Sequence, residues 1–341
     1  MTLVYAGIDE AGYGPMLGPL CVGLAVVRVR AWEPGSGVPD LWSMLARGVA
    51  PTGKDAADGR VPVADSKKLK LPNDGSRHPL THLERGVLAF EACAGPDRGP
   101  AITDADLFER LGAALPDEPW WQGEPAPMPV AGGRDGLRIA CNVLRRELDR
   151  AGVQVLDLRC RVIGVQEFNA IVEREGTKAA APEEALIEHL AHAAVRWWPR
   201  EEGTPVLRVA CDRQSGRVDY TRALERAWGG DGMDCLGAAG VEVLEHSPRA
   251  SRYAASGGRV GVQLVPEAEA RHLPVALASM AAKLVRELAM ARFNRYWSPR
   301  AAAAGVELKP TAGYVQDARR WLSDTQGVLT PRERAQLVRR A

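Results

Sequence analysis

Two adjacent carboxylates, Asp9 and Glu10, close the short apolar run Leu3-Val4-Tyr5-Ala6-Gly7-Ile8, and Gly12, Gly14 and Pro15 follow directly. Charge at the end of a buried strand is costly unless a cation or hydrogen bonds compensate it. Glycines behind it let the backbone come close to a ligand with its N–H groups turned outward. This points to a metal-binding strand end followed by a backbone clamp for phosphate or sugar. An acidic hairpin turn is the plainer alternative, and a lone Asp-Glu-x-Gly would favour it. The pattern recurs in Pro205-Val206-Leu207-Arg208-Val209-Ala210-Cys211-Asp212, again an apolar run ending in a carboxylate, and Glu269 follows the β-like run Arg259 to Val265. Oxygen ligands without accompanying His or Cys suit Mg²⁺ or Mn²⁺ and argue against zinc. Asp9, Glu10, Asp212 and Glu269 gathered in one cleft could hold two such ions ~4 Å apart, the arrangement that activates water and stabilises the leaving oxygen in phosphodiester hydrolysis.

Other polar groups are weaker signals. Asp65-Ser66-Lys67-Lys68-Leu69 offers a hydroxyl and two ammonium groups that could all donate to phosphate, although such a Lys-Lys pair is more often a solvated turn. Ser279, Lys283 and Arg286 stand at i, i+4 and i+7 and share one side of a helix. His189 and His192 lie at i, i+3 without an acidic partner at metal spacing, so a satisfied helix surface is expected there. Trp120-Trp121, in a Pro- and Gly-rich stretch, is expected to pin that stretch to a domain surface rather than to stack on bases.

The elements that must position these groups read as α/β. Strands are expected over 3–8, 20–27, 153–165, 205–212, 241–246 and 259–265. Helices are expected over 40–46, 83–93, 104–115, 137–151, 182–198 and 273–296, with two short ones near 316–323 and 331–340. Thr103 is the expected N-cap of the 104–115 helix, Gly152 the stop of 137–151, and Pro182 belongs to a first turn. Ile139, Val143, Leu144 and Leu148 are expected on the apolar face of 137–151. Residues 72–134 keep no sustained period and read as an insertion. The apolar, small-residue first half of the 273–296 helix is expected to pack against the central sheet.

With 341 residues, 46% of them hydrophobic, the chain can bury a sizeable core. A net charge of +1 from 44 basic and 43 acidic residues provides no global field for nucleic acid, so any such site must be a local basic patch. The six cysteines form no C-x-x-C pair and suit buried thiols in a reducing compartment. Neither a secretory leader nor a membrane-spanning run is evident, so a soluble, cytoplasmic protein is expected; a monomer is expected as well.

Three separate stretches resemble the ordered signatures of type 2 ribonucleases H, the ribonuclease HII and HIII group: Gly7-Ile8-Asp9-Glu10-Ala11-Gly12-Tyr13-Gly14-Pro15, Asp65-Ser66-Lys67-Lys68-Leu69, and Ala278-Ser279-Met280-Ala281-Ala282-Lys283-Leu284-Val285-Arg286. The resemblance covers roughly 3–30, 61–70, 136–220 and 258–325. It implies a ribonuclease H-like fold with a central mixed β-sheet flanked by helices, a large insertion and a helical C-terminal part. A catalytic domain over 1–325 and a helical tail over 326–341 are then expected. The implied activity is two-metal hydrolysis of the RNA strand of RNA–DNA hybrids, leaving 5′-phosphate and 3′-hydroxyl ends. Asp9, Glu10, Asp212 and Glu269 match the family's catalytic, metal-binding carboxylates. Gly12, Tyr13 and Gly14 fall on its ribose-contacting loop, and Ser66, Lys67, Lys68, Ser279 and Lys283 on its other substrate-side motifs. Tyr314, after Gly313, resembles its sugar-stacking tyrosine.

The chain departs from that pattern in places. Ribonuclease HII of bacteria has Gly-Arg-Gly where Tyr13 stands here, which puts single-ribonucleotide junction cleavage in question while leaving hybrid cleavage open. Glu269 is the ribonuclease HIII choice, where ribonuclease HII has Asp. No substrate-binding domain of the ribonuclease HIII kind is expected ahead of Asp9. Two alternatives stand beside the hybrid nuclease: a catalytically altered nucleic-acid-binding protein on the same fold, and a nuclease of the same superfamily acting on DNA alone.

Overall fold

Strand β1 (Leu3–Ala11) and strand β2 (Leu20–Val29) form an antiparallel pair in which Asp9 faces Gly23. Short strands β3 (Val49–Ala50) and β4 (Val61–Pro62) pair separately and in parallel. The main sheet is completed by β5 (Val153–Ile163), β6 (Val206–Asp212), β7 (Glu242–His246), β8 (Ser251–Ala255) and β9 (Val260–Val265). Its order is β5-β2-β1-β6-β9-β8-β7. Strands β1, β6 and β9 run parallel side by side, while the flanking pairs are antiparallel, so the sheet is mixed. This computed structural model describes all residues except 73, 74, 76, 96, 97, 202, 215, 230–234, 237–239 and 341, and the side chains of 57 and 58.

The helices are α1 (Leu41–Met44), α2 (Ser66–Leu69), α3 (Thr81–Ala92), α4 (Asp104–Arg110), α5 (Arg134–Arg150), α6 (Val165–Glu175), α7 (Ala180–Trp197), α8 (Thr221–Trp228), α9 (Leu273–Ala303), α10 (Val315–Asp324) and α11 (Pro331–Leu337). One sheet face is covered by α9 with α3 and α5 behind it, through residues such as Tyr5, Ala25, Val87, Leu144 and Leu277. The other is covered by α6, α7 and α8, through Phe168, Leu190, Leu224 and Trp228. A third cluster joins Trp120 and Trp121 to Phe293 and Trp297 of α9, Trp321 of α10 and Leu337 of α11. The expected central mixed sheet, flanking helices and helical C-terminal part are therefore all present. Among the described residues no helix is long and apolar enough to cross a membrane.

Two glycines fix the layering. A Cβ on Gly7 would stand 2.1 Å from the backbone nitrogen of Val275, and one on Gly23 would stand 2.1 Å from the carbonyl oxygen of Ala278. No side chain fits at either place, and the start of α9 lies directly on the β1–β2 pair. The small residues at the front of α9 serve this close approach, as the sequence implied.

Several expectations need correction. Helix α4 stops at Arg110, short of 115, although Thr103 does cap it by accepting the Asp106 N–H. On α5 the buried stripe is Leu137, Ala140, Cys141, Leu144 and Leu148; Ile139 lies off it and is exposed. His189 is in the core, its Nε2 2.9 Å from the Val22 carbonyl oxygen, and His192 pairs with Asp157 of β5 at 2.7 Å. A helix with a buried face against the sheet placed one histidine inward, and strand β5 supplied an acidic partner that local spacing could not reveal. Trp120 and Trp121 are buried core residues, packed against α9 more deeply than a surface pin. Strand β8 and helix α8 were not foreseen. Cys21, Cys93, Cys141, Cys160 and Cys211 form no disulfide.

Candidate active site

Parallel pairing of β1 with β6 sets Ile8 beside Cys211, so Asp9 and Asp212 leave neighbouring strand ends. Parallel pairing of β6 with β9 sets Asp212 beside Val265, and the chain then turns through Glu267, at φ 54°, into a short 3-10 turn holding Glu269. Three strand ends of one sheet edge thus deliver Asp9, Glu10, Asp212 and Glu269 to the same region. Such an edge is where parallel α/β sheets place their ligands.

The carboxylates feel one another. Asp9, buried at 8% exposure, is held well above the usual carboxylate range by burial and by the charges of Glu10 and Asp212, against a hydrogen bond from Ser279. Glu10 is pushed up to about 7 by burial and by Asp212 and Glu269, with Lys67 pulling the other way. Asp212 is raised by burial, although the backbone N–H of Ala268 donates to its Oδ1 at 3.0 Å. Glu269 is raised by burial, Asp212 and Asp65, and its Oε2 is buried without a hydrogen-bond partner. Lys67 is the cation common to Glu10, Asp212 and Glu269. Its place follows from α2, where the Asp65 side chain accepts the Lys67 N–H at 2.9 Å.

A buried group of acids that repel one another, one oxygen lacking any donor, is the donor set a hard cation would satisfy. The residues fit a divalent ion chemically. Their spacing does not yet form a cage, because no group of three or more His, Cys, Asp or Glu side chains among the described residues stands close enough to hold a metal. Mutual repulsion between carboxylates is the physical reason such side chains keep apart.

The expected substrate-side residues divide into two sets. Gly12, Tyr13 and Gly14 form the loop beside the carboxylates, and burial together with the nearby Glu10 charge raises the Tyr13 phenol. Gly12 has φ +90°, and a Cβ there would strike the Arg286 side chain at 2.5 Å, whereas Gly14 faces open space. Tyr314 is exposed, its hydroxyl 3.4 Å from Lys283 Nζ and its ring beneath the Arg286 guanidinium at 5.5 Å. Gly313 tethers it to the loop by accepting from the N–H groups of Met16 and Leu17. Lys68 is exposed and leans on Asp65 at 3.8 Å.

The second set is turned inward. Ser66 and Ser279 are buried and share a hydrogen bond of 3.0 Å, so the hydroxyl expected at a phosphate instead braces the serine that serves Asp9. Lys283 is buried and bound to Glu287 at 3.0 Å, a carboxylate it shares with Lys70 at 2.7 Å. Asp65, Glu287 and Arg339 complete these surroundings and were not among the expected site residues. Asp65 was within reach, standing in the lysine motif itself. Arg339 was not, because its Nη1 meets the Gly12 carbonyl oxygen across 327 residues at 2.6 Å.

This chain is similar to type 2 ribonucleases H. Among solved structures it is similar to the ribonuclease H2 of Pyrococcus horikoshii OT3, 16% identical, with a TM-score of 0.42 over 99% of this chain and 93% of that one. It is also similar to the PCNA:RNase HII complex structure from Archaeoglobus fulgidus, 16% identical, TM-score 0.39, over 99% of this chain and 94% of that one. Bst-RNase HIII in complex with Mn²⁺ is 16% identical, TM-score 0.35, over 94% of this chain and 62% of that one. No protein-family model and no curated protein sequence matches the chain.

Proposed function

We propose that the protein is a divalent-metal-dependent endonuclease that hydrolyses the RNA strand of RNA–DNA hybrids, leaving 5′-phosphate and 3′-hydroxyl ends. The observation that carries this reading is the convergence of Asp9, Glu10, Asp212 and Glu269 from the ends of β1, β6 and β9, with burial raising all four and repulsion from neighbouring carboxylates adding to it at Asp9, Glu10 and Glu269. Those four would hold two Mg²⁺ or Mn²⁺ ions, which when bound supply an activated water and stabilise the leaving oxygen. Ser279 steadies Asp9 by hydrogen bonding, and Lys67 offsets the negative charge of the group. The open side of Gly14 allows a sugar–phosphate backbone to approach the loop, and the exposed Tyr314 ring offers a platform for a sugar or base.

The test is cleavage of RNA–DNA hybrid, a duplex with a single ribonucleotide, and all-DNA duplex side by side, with Mg²⁺ and with Mn²⁺. Cleavage of the hybrid, abolished in Asp212→Asn with the fold retained, is expected. Unchanged turnover in that variant sinks the assignment.

A second reading is a protein that holds hybrid without cutting it efficiently. Its support is the same carboxylates standing short of a ligand cage, together with Tyr13 in the loop. Binding in Ca²⁺ followed by no cut in Mg²⁺ or Mn²⁺ would select it.

A further inference from the structure

After α11 the chain returns to its own beginning. Val338 bridges to Leu17, the N–H of Arg339 donates to the Met16 carbonyl at 3.0 Å, and Asn169 of α6 fastens Val338 and Arg340 from the other side. This strap carries Arg339 beneath the Gly12–Gly14 loop. The Arg339 side chain is 5% exposed, its Nη1 donates to the Gly12 carbonyl, and it lies over the Phe168 ring at 4.7 Å. Its Nε and Nη2 have no hydrogen-bond partner.

Arg286 lies close by, fully buried, with Nε and Nη1 likewise unpartnered. Among the described residues the acceptors of these two guanidinium groups are backbone carbonyls: Gly12 for Arg339, and Leu17 and Ala312 for Arg286. Two buried cations without a carboxylate between them are expensive, and an anion would relieve both. The strain registers on Arg339, which burial and the Arg286 charge pull down to about 9.

Arg339 also lines a cavity of about 150 Å³ walled by Tyr13, Gly14, Pro15, Phe168, Lys178 and Arg319, with Arg340 at its edge. That is room for several waters at ~30 Å³ each, and so for a phosphate. Every charged residue lining it is basic. Lys178 Nζ sits over the Tyr13 ring at 5.4 Å, and the Arg340 guanidinium is held aside by Glu173 at 3.0 Å. Tyr13 is the shared wall, since its phenol also feels Glu10.

We propose that this cavity is a phosphate site in which Arg339, with Lys178 and Arg319 at the rim, binds one backbone phosphate of the nucleic acid lying across the Gly12–Gly14 loop. The inference rests on the reading of the protein as acting on nucleic acid, and adds that the C-terminal strap helps to position the strand. Tyr13 is the aromatic lip between that phosphate and the carboxylates.

Two measurements test it. Inorganic phosphate titrated into the full chain, followed by thermal melting, is expected to raise the melting temperature saturably. Arg339→Gln loses most of that rise, and the doubly substituted rim variant Lys178→Ala/Arg319→Ala weakens phosphate binding, each by about tenfold, the scale of one or two charge-assisted hydrogen bonds. The rim variant guards against Arg339→Gln failing to fold, because Lys178 and Arg319 are exposed. Equal stabilisation of wild type and both variants, or none in the wild type, overturns the inference. Hybrid duplexes carrying one neutral methylphosphonate linkage are then bound in Ca²⁺. One linkage position is expected to weaken wild type about tenfold and to weaken the rim variant, which keeps Arg339, by clearly less. Phosphate binding without any sensitive linkage would mean that the cavity takes a free phosphate, which overturns the strand assignment. The titration needs no cleavage, so its failure leaves the nuclease reading standing, and an absence of hybrid cleavage leaves the cavity's anion binding standing.

Discussion

Gly23 and Ala278 meet with no space for a side chain between them: a Cβ on Gly23 would stand 2.1 Å from the Ala278 carbonyl oxygen. Gly23 also faces Asp9 across the β1–β2 pair, and the residue after Ala278 is Ser279, whose hydroxyl bonds Asp9. The spacing of α9 from the sheet therefore sets the distance between Ser279 and a central carboxylate. Gly23→Ala is expected to push α9 outward, costing about 1–3 kcal/mol of stability as overpacking does. Metal-dependent cleavage should fall at temperatures where the variant is still folded. Melting curves and cleavage rates on the same samples check this; full activity in a destabilised Gly23→Ala would separate the packing from the site.

Repulsion among Asp9, Glu10, Asp212 and Glu269 predicts the response to divalent cations. Mg²⁺ or Mn²⁺ should raise the melting temperature of the wild type, by mass action on the folded state. In Asp9→Asn and Asp212→Asn the metal-free protein is expected to melt at or above the wild-type temperature, because one member of a buried, repelling group has lost its charge. Most of the metal-dependent rise should be absent in both. Calorimetry with and without EDTA checks both halves.

The carboxylate strand ends were legible because an apolar run ending in Asp is a local pattern, and parallel pairing of β1, β6 and β9 then brings such ends together. What local pattern does not contain is which way a side chain turns once a helix is docked. Ser66 and Lys283 belong to polar motifs, yet Ser279 and Glu287 capture them inside. His189 was misplaced for the same reason, since helical spacing gives the relation of two residues to each other and not to a sheet. Strand β8, Ser-Arg-Tyr-Ala-Ala, lacks the β-branched alternation that marks a strand, and pairing on both sides makes it one. The Arg339 strap is a contact between the two ends of the chain, and nothing within a window of residues announces it.

The stretch 72–134, which has no period of its own, is tied to α9 by a buried ion pair. Arg292 Nε and Nη2 meet the Asp104 carboxylate at 2.7 and 2.8 Å, both residues are buried, and Arg292 Nη1 also donates to the Trp121 carbonyl. Removing one partner strands the other charge. Asp104→Ala is expected to cost about 3–5 kcal/mol, whereas an apolar pair replacing both residues costs much less. Denaturant unfolding of Asp104→Ala, Arg292→Met and Asp104→Leu/Arg292→Met checks it. A double variant as unstable as Asp104→Ala would show that packing, and not the unpaired charge, is what the pair supplies.

His189 gives the protein a pH dependence of definite sign. It is buried in α7 with Nε2 on the Val22 carbonyl, and burial pulls it from 6.5 to about 4. The folded state thus resists a proton that the unfolded chain takes up near pH 6.5. The contribution of this group is fully present above that pH and is lost as pH falls toward about 4. Linkage puts the loss between pH 7 and pH 5 at ~2 kcal/mol. His272, also lowered to about 4, acts in the same direction. The site carboxylates act in the opposite one, because a raised folded pKa loses stability as pH rises. A wild-type profile mixes these signs, so the informative quantity is the difference between wild type and His189→Gln. Glutamine keeps an N–H donor for Val22 and cannot take up the proton. The variant is expected to be less stable than wild type at pH 7 by a packing cost, with the gap narrowing by ~2 kcal/mol at pH 5. Denaturant unfolding at the two pH values measures it, and a gap independent of pH would mean that the folded state takes up the His189 proton as readily as the unfolded chain does.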